Sequence, residues 1–516
     1  MPNTEREPLY QLIHSLSKAE KRNFKLYATR GAAPDAKFIR LFNVIEKMDQ
    51  YDEALILRKE PDFKPSQLPN QKAHLYRQIL TSLRLIHVGQ QGDIEIRENL
   101  DYARVLFNKG LYHQSLRLLD KIKVRSQREE RHTLYLQILE FEKYIEAQYI
   151  TRSSASKAET LTDEIGKTTK QVLDTNALSN LALSLYGYYI NVGHVRKAED
   201  HAHVQAFYAA QLPQVDLKQL GPVALMYYYQ SKIWYHHILL DFGQCYRYAS
   251  YWVQLFDERP VLLQAYTDLY IKCLHQLALA LFNMRATKRL QNVLDQMNAL
   301  KENSKLKLTE NSQILLFLYQ GIGRFNLLFL TAAFEEGAAY VPDFEAELNK
   351  LAPRLDEHWV ILFYYKIACL YFGSGDNGMA IRYLNLIIHK SDVQVRSDLH
   401  CFARILNLIA HYELGNNDLL EYQIRSVYRF LSKMDNLQEV QVEIFRFLRN
   451  LSRIVPADIP AEFVALKDRL LELMQDPYER RPFLYLDIIS WLESKIENIP
   501  VKEVVGRKAA GGWKLD

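Results

Sequence analysis

The sequence predicts an all-α protein built from antiparallel helical hairpins, and three observations support this fold class. Only 19 glycines and 16 prolines occur in 516 residues, below the usual shares of about 7% and 5%. Apolar residues in the long middle of the chain recur at three- and four-residue steps, and almost no stretch alternates with a period of two. Isolated glycines separate these helical stretches at positions where a hairpin would turn.

The chain divides into four predicted segments. Residues 1–92 are predicted to form a segment of four short helices. This segment is basic, because residues 1–90 contain 15 Lys and Arg against 10 Asp and Glu. Residues 93–455 form helical repeats and residues 456–499 form C-terminal capping helices. Residues 500–516 lack periodicity and are predicted to be a flexible tail.

Local signals define the ends of helices in the first segment. Ser17 and Glu20 have the spacing of a capping box, which marks a helix N-terminus. The three prolines of "EPDFKPSQLPNQ" predict a loop. A helix is predicted after this loop, and Gly89 is predicted to end that helix.

The repeats become visible when the turn glycines are aligned. Each glycine is the left-handed residue between two antiparallel helices. The residue seven before it and the residue five after it are predicted to meet where the helices cross, and small side chains there let the axes approach. The four sets are Ala103, Gly110 and Ser115; Tyr186, Gly193 and Ala198; Ala368, Gly375 and Ala380; and Leu408, Gly415 and Leu420. Weaker turns are predicted at 240–242 and 283–284.

The sets around Gly110 and Gly375 resemble the tetratricopeptide (TPR) repeat family. The turns lie mostly 40–50 residues apart, whereas the family's repeat has about 34 residues, and the Trp and Pro of the family motif are missing. The resemblance implies a right-handed superhelix (α-solenoid) of hairpins. The first helix of each hairpin would line its concave face.

The resemblance also implies which residues would face a partner. They occupy positions six, three or two residues before a turn glycine: Arg104, Phe107, Asn108, Ile190, Asn191, Cys369, Phe372, Ile409 and Tyr412. Extended peptides or amphipathic helices commonly bind in such grooves. We therefore expect a non-enzymatic scaffold that binds a protein or peptide, whose identity the sequence does not give.

The motifs of common catalytic sites do not support an enzyme. Gly373, Gly375 and Gly378 spell G-x-G-x-x-G, but the fifteen apolar residues before them are too long for a buried strand and follow helical steps. No complete G-x-x-x-x-G-K-[ST] P-loop occurs, since Gly166-Lys167-Thr168 has Leu161 where the first glycine is needed, and no H-E-x-x-H or G-x-S-x-G motif occurs. The pairs His201/His203 and His236/His237 are interpreted as surface or capping residues. The sequence therefore predicts no catalytic residue, no cofactor and no metal ligand.

An alternative hypothesis is a transcriptional or RNA-linked regulator whose basic N-terminal helices contact nucleic acid while the repeats act as a sensor. The second helix of the candidate helix-turn-helix carries Lys37, Arg40 and Lys47. Its turn of about six residues is longer than the usual three or four, and the net charge of +4 gives little support. Nucleic acid is therefore the less favoured partner.

A cytoplasmic location is expected. The N-terminus lacks the basic and apolar regions of a secretory signal. The apolar stretch 314–334 has Arg324 at its centre and is interpreted as a buried helix, not a membrane span. Four widely separated cysteines are expected to be free thiols.

Overall fold

A computed structural model describes residues 7–31, 36–87, 92–148, 155–304, 306–390, 397–431, 438–450, 458–479, 483, 487–511 and 513. These residues form helices α1–α25 and short 3-10 turns, with no strand among them. This confirms the predicted all-α class. The chain divides into two compact units, 1–172 and 173–516. The division falls inside a long helix.

Unit 1 has a core of five helices followed by a second core of three. Its helices are α1 (Pro8–Ser15), α2 (Lys18–Gly31), α3 (Lys37–Glu46), α4 (Glu53–Lys59), α5 (Leu68–His87), α6 (Gly92–Asn108), α7 (Tyr112–Arg128) and α8 (His132–Gln148). The sequence predicts four helices before residue 92, so one was missed. The predicted proline loop is shorter than expected, because α5 begins at Leu68 and tolerates Pro69 in its first turn.

The capping box at the start of α2 is confirmed. The backbone N–H of Ser17 donates to a carboxylate oxygen of Glu20 at 2.8 Å, and the N–H of Glu20 donates to the Ser17 hydroxyl at 3.2 Å. Two N–H groups that the helix leaves unpaired are satisfied in this way. Gly89, the predicted end of α5, lies outside the described residues.

Helix α9 (Ala155–Val192) contains the division, and unit 2 continues from it with sixteen further helices. These are α10 (Ala198–Gln211), α11 (Pro222–Ile238), α12 (Phe242–Glu258), α13 (Pro260–Ala265), α14 (Thr267–Asn283), α15 (Thr287–Glu302), α16 (Glu310–Leu330), α17 (Phe334–Leu351), α18 (Glu357–Ser374), α19 (Asn377–Ile388), α20 (Ser397–Glu413), α21 (Asn417–Leu431), α22 (Glu439–Asn450), α23 (Ile459–Gln475), α24 (Ile488–Glu497) and α25 (Val501–Ala510). Helices that are neighbours in sequence pack against each other through most of the unit.

The hairpins share one turn structure. The backbone φ is positive at the predicted glycines Gly110, Gly193, Gly375 and Gly415, and also at Glu130, Leu240, Arg285 and Ala332. In six of these eight turns, the N–H after the left-handed residue donates to the carbonyl five residues before it, as Asp241 does to His236 at 2.9 Å. From α11 to α21 the left-handed residues are 240, 285, 332, 375 and 415, steps of 40 to 47. The sequence missed the turn at Ala332 because no glycine marks it.

The predicted helix crossing occurs at several of these turns. The Ser115 hydroxyl donates to the carbonyl of Ala103 at 2.7 Å, and the Cys245 thiol donates to the carbonyl of Ile233 at 3.5 Å. In each pair, the residue whose carbonyl accepts lies seven residues before the left-handed residue, and the donor lies five residues after it. Ala368 and Ala380 are fully buried.

The predicted set around Gly193 does not form this crossing. The Gly193 N–H donates to the carbonyl of Tyr189, one helical turn back. Tyr186 and Ala198 are both exposed, so no close crossing forms there. In the last set Leu408 is buried, whereas the side chain of Leu420 lies outside the described residues.

The glycines that spell a phosphate loop have structural roles. A Cβ on Gly373 would lie 2.4 Å from the Phe334 ring, so glycine lets α17 and α18 approach. Gly375 ends α18 with φ +88°. The Asp376 carboxylate accepts from the Met379 N–H at 3.0 Å, which places a negative charge of the protein itself at the N-terminus of α19.

The left-handed turn residues give a matched pair of stability predictions. A Cβ in this conformation costs about 1–2 kcal/mol. A Cβ at Gly375 would have open space around it, so Gly375→Ala should lower the free energy of unfolding by about 1 kcal/mol through backbone strain alone. Ala332→Gly should raise it by about 0.5–1 kcal/mol. Urea unfolding followed by tryptophan fluorescence measures both, and equal signs for the two changes would contradict this account.

The C-terminus differs from its prediction. Residues 501–510, expected to be a flexible tail, form α25, which buries Val504 and Val505 and packs on α24 and α18. The Trp513 indole N–H donates to the carbonyl of Leu330 at 3.1 Å, and the Arg285 guanidinium lies 4.7 Å from the Trp513 ring centroid. Val504 and Val505 supply the buried apolar surface of the docked segment.

One helix among those described, α16, is long and apolar enough to cross a membrane by length and composition alone, and 56% of its apolar window is buried. It packs against α14, α15, α17 and α18. Arg324 pairs with Glu336 at 3.1 Å and lies 4.6 Å from the Tyr340 ring centroid. These contacts are those of a core helix, as the sequence predicts.

Candidate functional site

Side chains of α14, α16 and α18 meet on one face of unit 2. The Lys366 ammonium donates to the side-chain oxygen of Asn326 at 2.6 Å. It also lies 5.8 Å from the Phe282 ring centroid and 5.5 Å from that of Phe329. Phe282 lies three residues before the left-handed turn residue of its own hairpin, and so does Phe329. Asn326 lies six residues before the same turn residue as Phe329. The positions that the family resemblance assigns to a groove therefore do share a face in these hairpins.

A nearly buried histidine lies at the centre of this face. The His275 ring stacks on Tyr319 with centroids 3.9 Å apart and an angle of 6° between the planes. Burial, with smaller contributions from Lys272, His237 and Lys366, lowers the pKa of His275 to about 3. Side chains from α11, α14 and α18 thus converge on one ring. We call Trp234, His237, Lys272, His275, Tyr319 and Lys366 the basic pocket.

Lys272 is a half-buried cation without a neutralising group. Among the residues that the structure describes, no hydrogen-bond acceptor or carboxylate pairs with its ammonium, and burial lowers its pKa. The acid that acts on the adjacent Tyr319 is Asp268. Its carboxylate already accepts hydrogen bonds from Asn311 at 2.7 Å and from Ser312 at 2.5 Å. The pocket therefore carries a net positive charge at a place where solvent screens it only partly.

An exposed apolar stripe on α9 borders the basic pocket. Leu183, Tyr186 and Ile190 are 68%, 42% and 57% exposed, and their spacing of three and four residues places them on one side of the helix. The Tyr186 ring lies 5.0 Å from that of Trp234. Burial raises the pKa of Tyr319 to about 12, and Tyr186 contributes to this rise. Tyr186 therefore connects the stripe to the aromatic rings of the pocket.

The structure brings only some of the predicted partner-binding residues to this surface. Ile190 belongs to the apolar stripe, and Asn191 is exposed beside it. Cys369 and Phe372 lie half-buried on α18, the helix that supplies Lys366. Burial raises the pKa of the Cys369 thiol to about 12, so it is a packing residue and not a nucleophile.

Two predicted partner-binding residues pack inside unit 2, one fully buried and one half-buried. Ile409 is fully buried. Tyr412 packs against Phe463 and Trp491, with ring centroids 6.2 and 6.3 Å away. At this hairpin, rings of α23 and α24 pack on the face of α20 that the family resemblance leaves open.

The predicted residues of the first hairpin lie in unit 1, where they pack on α8. Arg104 lies over the Phe141 ring at 4.5 Å. Phe107 contacts the rings of Tyr112, Phe141 and Tyr144 at 5.2–5.7 Å. Asn108 is exposed. These three residues therefore form no part of the basic pocket.

Sequence reasoning missed most of the pocket, although a signal was present. Lys272 and His275 interrupt the apolar helix "DLYIKCLHQLALALF", and Lys366 interrupts "WVILFYYKIACLYF". A cation inside an apolar helix is buried at a cost, which makes it a candidate for function. His237, interpreted as a surface or capping residue, is half-buried, and its ring packs against those of Tyr189, His194 and Trp234.

The free-energy cost of burying the Lys272 ammonium gives a testable prediction. Burial of its ammonium disfavours the charged form, so Lys272→Met should raise the free energy of unfolding by on the order of 1 kcal/mol at pH 7. Urea unfolding measures the change, and Lys288→Met, at an exposed lysine of α15, is the matched control. A loss of stability in Lys272→Met would show that the lysine stabilises the fold.

No group of three or more His, Cys, Asp or Glu residues placed to hold a metal ion occurs among the described residues. The chain matches no protein-family model, no curated protein and no solved structure in the comparisons made with each. The surface of unit 2 is therefore the main guide to function.

Proposed function

We propose that the protein is a non-enzymatic scaffold that binds a segment of a protein partner on the surface formed by the apolar stripe and the basic pocket. The observation that carries this proposal is the stripe. Three large apolar side chains on one side of a helix are exposed, and one of them, Tyr186, lies against the buried Trp234 ring. A contiguous patch of this kind, rimmed by polar groups, is typical of a protein-binding site.

The proposal includes a finer fold assignment for unit 2. Its hairpins are those of a divergent TPR-like array, a right-handed superhelix whose first helices line the binding surface. The recurring left-handed turn and the helix crossing seven before and five after it support this assignment. A cytoplasmic location belongs to the same proposal and is supported by four free cysteines.

The contacts of α3 favour a protein partner over nucleic acid. Arg40, the central cation of the candidate recognition helix, is 3.0 Å from Asp62 and 3.4 Å from Glu60. The Lys37 ammonium donates to the carbonyl of Asp62 at 3.5 Å. Side chains that neutralise their own unit are poorly placed to contact phosphates or bases.

Site-specific photo-crosslinking tests the proposed surface. Benzoylphenylalanine is placed at Ile190 in the full chain, and the cells that express it are irradiated. The control position is Leu173, which is 63% exposed on the same helix but about a quarter turn away. We expect a discrete crosslinked protein from position 190 and none from position 173. The same products from both positions, or none from position 190, would contradict the proposal.

A further inference from the structure

We propose that the partner segment is an acidic amphipathic helix, whose apolar side chains cover the stripe of Leu183, Tyr186 and Ile190 and whose carboxylates face Lys272. This inference rests on the proposed function and adds the chemistry of the ligand. Charge complementarity, the spacing of the stripe and the placement of the C-terminal helices away from it support this inference.

The charge of the pocket selects an anion. Lys272 is half-buried one helical turn before His275 on α14, and among the described residues no carboxylate lies within ion-pair distance of its ammonium. The groups that lower the pKa of His275 through their charge include Lys272 and Lys366 and no acid. A cation removed from water without a counter-ion is costly, and a carboxylate placed beside it recovers part of that cost. Because the unbound protein already carries this desolvation cost, the part that a bound carboxylate recovers makes the free energy of binding more favourable.

The apolar stripe favours an acidic protein segment over other kinds of anionic ligand. Leu183 and Ile190 are seven residues apart, which on a helix is about 10 Å. This distance matches two turns of a partner helix with apolar residues at steps of three and four. A nucleic acid backbone would place a phosphate against Lys272 but would leave the exposed leucine and isoleucine uncovered.

The C-terminal helices of the protein do not occupy this surface. Their contacts are with α18 and α20 and with the turns at Arg285 and Ala332, through Tyr412, Trp513 and Gly506. The stripe stays exposed with these helices in place, so the C-terminal helices are not its occupant.

A phage-displayed library of random linear peptides provides the probe. The library is selected on the full chain and counter-selected on the double variant Leu183→Asp/Ile190→Asp. Both changes are at exposed positions, so the variant should fold. The selected peptides are then synthesised with a fluorescent label, and their affinity is measured by anisotropy for the wild type, for Lys272→Met and for the control Lys288→Met.

We expect the selected peptides to be enriched in Asp and Glu beside Leu, Phe or Trp. Lys272→Met should weaken their binding about 10-fold, and Lys288→Met should leave it unchanged. Peptides that need the stripe but lack acidic enrichment, or that bind Lys272→Met as well as the wild type, would overturn the inference and leave the proposed function standing.

Two further outcomes also decide the matter. If no peptide distinguishes the wild type from the double variant, the proposed function fails, and the inference fails with it. If a short single-stranded DNA displaces the selected peptides and also binds directly with comparable affinity, the pocket accepts anions in general, and the assignment to an acidic protein segment is wrong.

Discussion

Trp491→Ala should lower the free energy of unfolding of unit 2 by about 3–5 kcal/mol, as expected when a buried tryptophan is truncated in a packed core. Trp491 is 1% exposed, and its ring lies 5.5 Å from that of Phe463 in an edge-to-face arrangement. Its indole N–H donates to Glu413 at 2.7 Å, and Glu413 also pairs with Lys495 at 2.6 Å. The truncation therefore leaves a cavity and an unsatisfied acceptor together.

The measurement is urea unfolding followed by tryptophan fluorescence, which reports unit 2 because all five tryptophans lie between residues 234 and 513. Trp491→Phe is the graded control. It keeps most of the ring packing but loses the hydrogen bond to Glu413, so it should cost about 1–2 kcal/mol. A Trp491→Ala variant as stable as the wild type would show that α24 contributes little to the unit.

Acidification should destabilise unit 2 through its buried histidines. The pKa of His275 is about 3 in the folded protein and about 6.5 in the unfolded chain. Below pH 6.5 the unfolded state binds a proton that the folded state does not bind until about pH 3. The contribution of neutral His275 to the free energy of unfolding is therefore complete above pH 6.5, and it is lost as the pH falls below that value. At pH 5 the loss from His275 alone is about 2 kcal/mol.

The variant His275→Phe isolates this effect. Phenylalanine can keep the stacking on Tyr319 but cannot take up a proton. The stability lost between pH 8 and pH 5 should therefore be smaller by about 2 kcal/mol than in the wild type. His203→Gln, at an exposed histidine of α10, should leave the pH profile unchanged. Identical profiles for the wild type and His275→Phe would show that His275 is not buried as described.

The sequence predicts the hairpin architecture best where glycine marks the turn. Gly110, Gly375 and Gly415 were located because only glycine takes a positive φ without strain. The turns at Leu240 and Arg285 gave weaker signals, and the turn at Ala332 gave none. In these turns, tertiary packing holds a side chain in a conformation that it does not prefer. Local propensity cannot reveal a turn that the rest of the fold imposes.

The sequence predicts the site less well, for a different physical reason. Helical spacing shows which residues share a side of one helix, and this was enough to select Ile190 and Cys369. It does not show which helices cover one another. Ile409 was therefore expected to be accessible although it is buried. The convergence of Lys272 and Lys366 on His275 depends on contacts between helices that are far apart in the chain, so spacing alone could not predict it.

The affinity of the crosslinked or phage-selected segment for the double variant Leu183→Asp/Ile190→Asp tests the central claim most directly. Anisotropy titrations compare the wild type, the double variant and Leu173→Asp, and circular dichroism confirms that all three have the same helical content. The loss of two apolar anchors should weaken binding by at least about 30-fold, or about 2 kcal/mol, whereas Leu173→Asp should bind as the wild type does. Equal affinity for the wild type and the double variant would contradict the claim that this surface of unit 2 is the binding site.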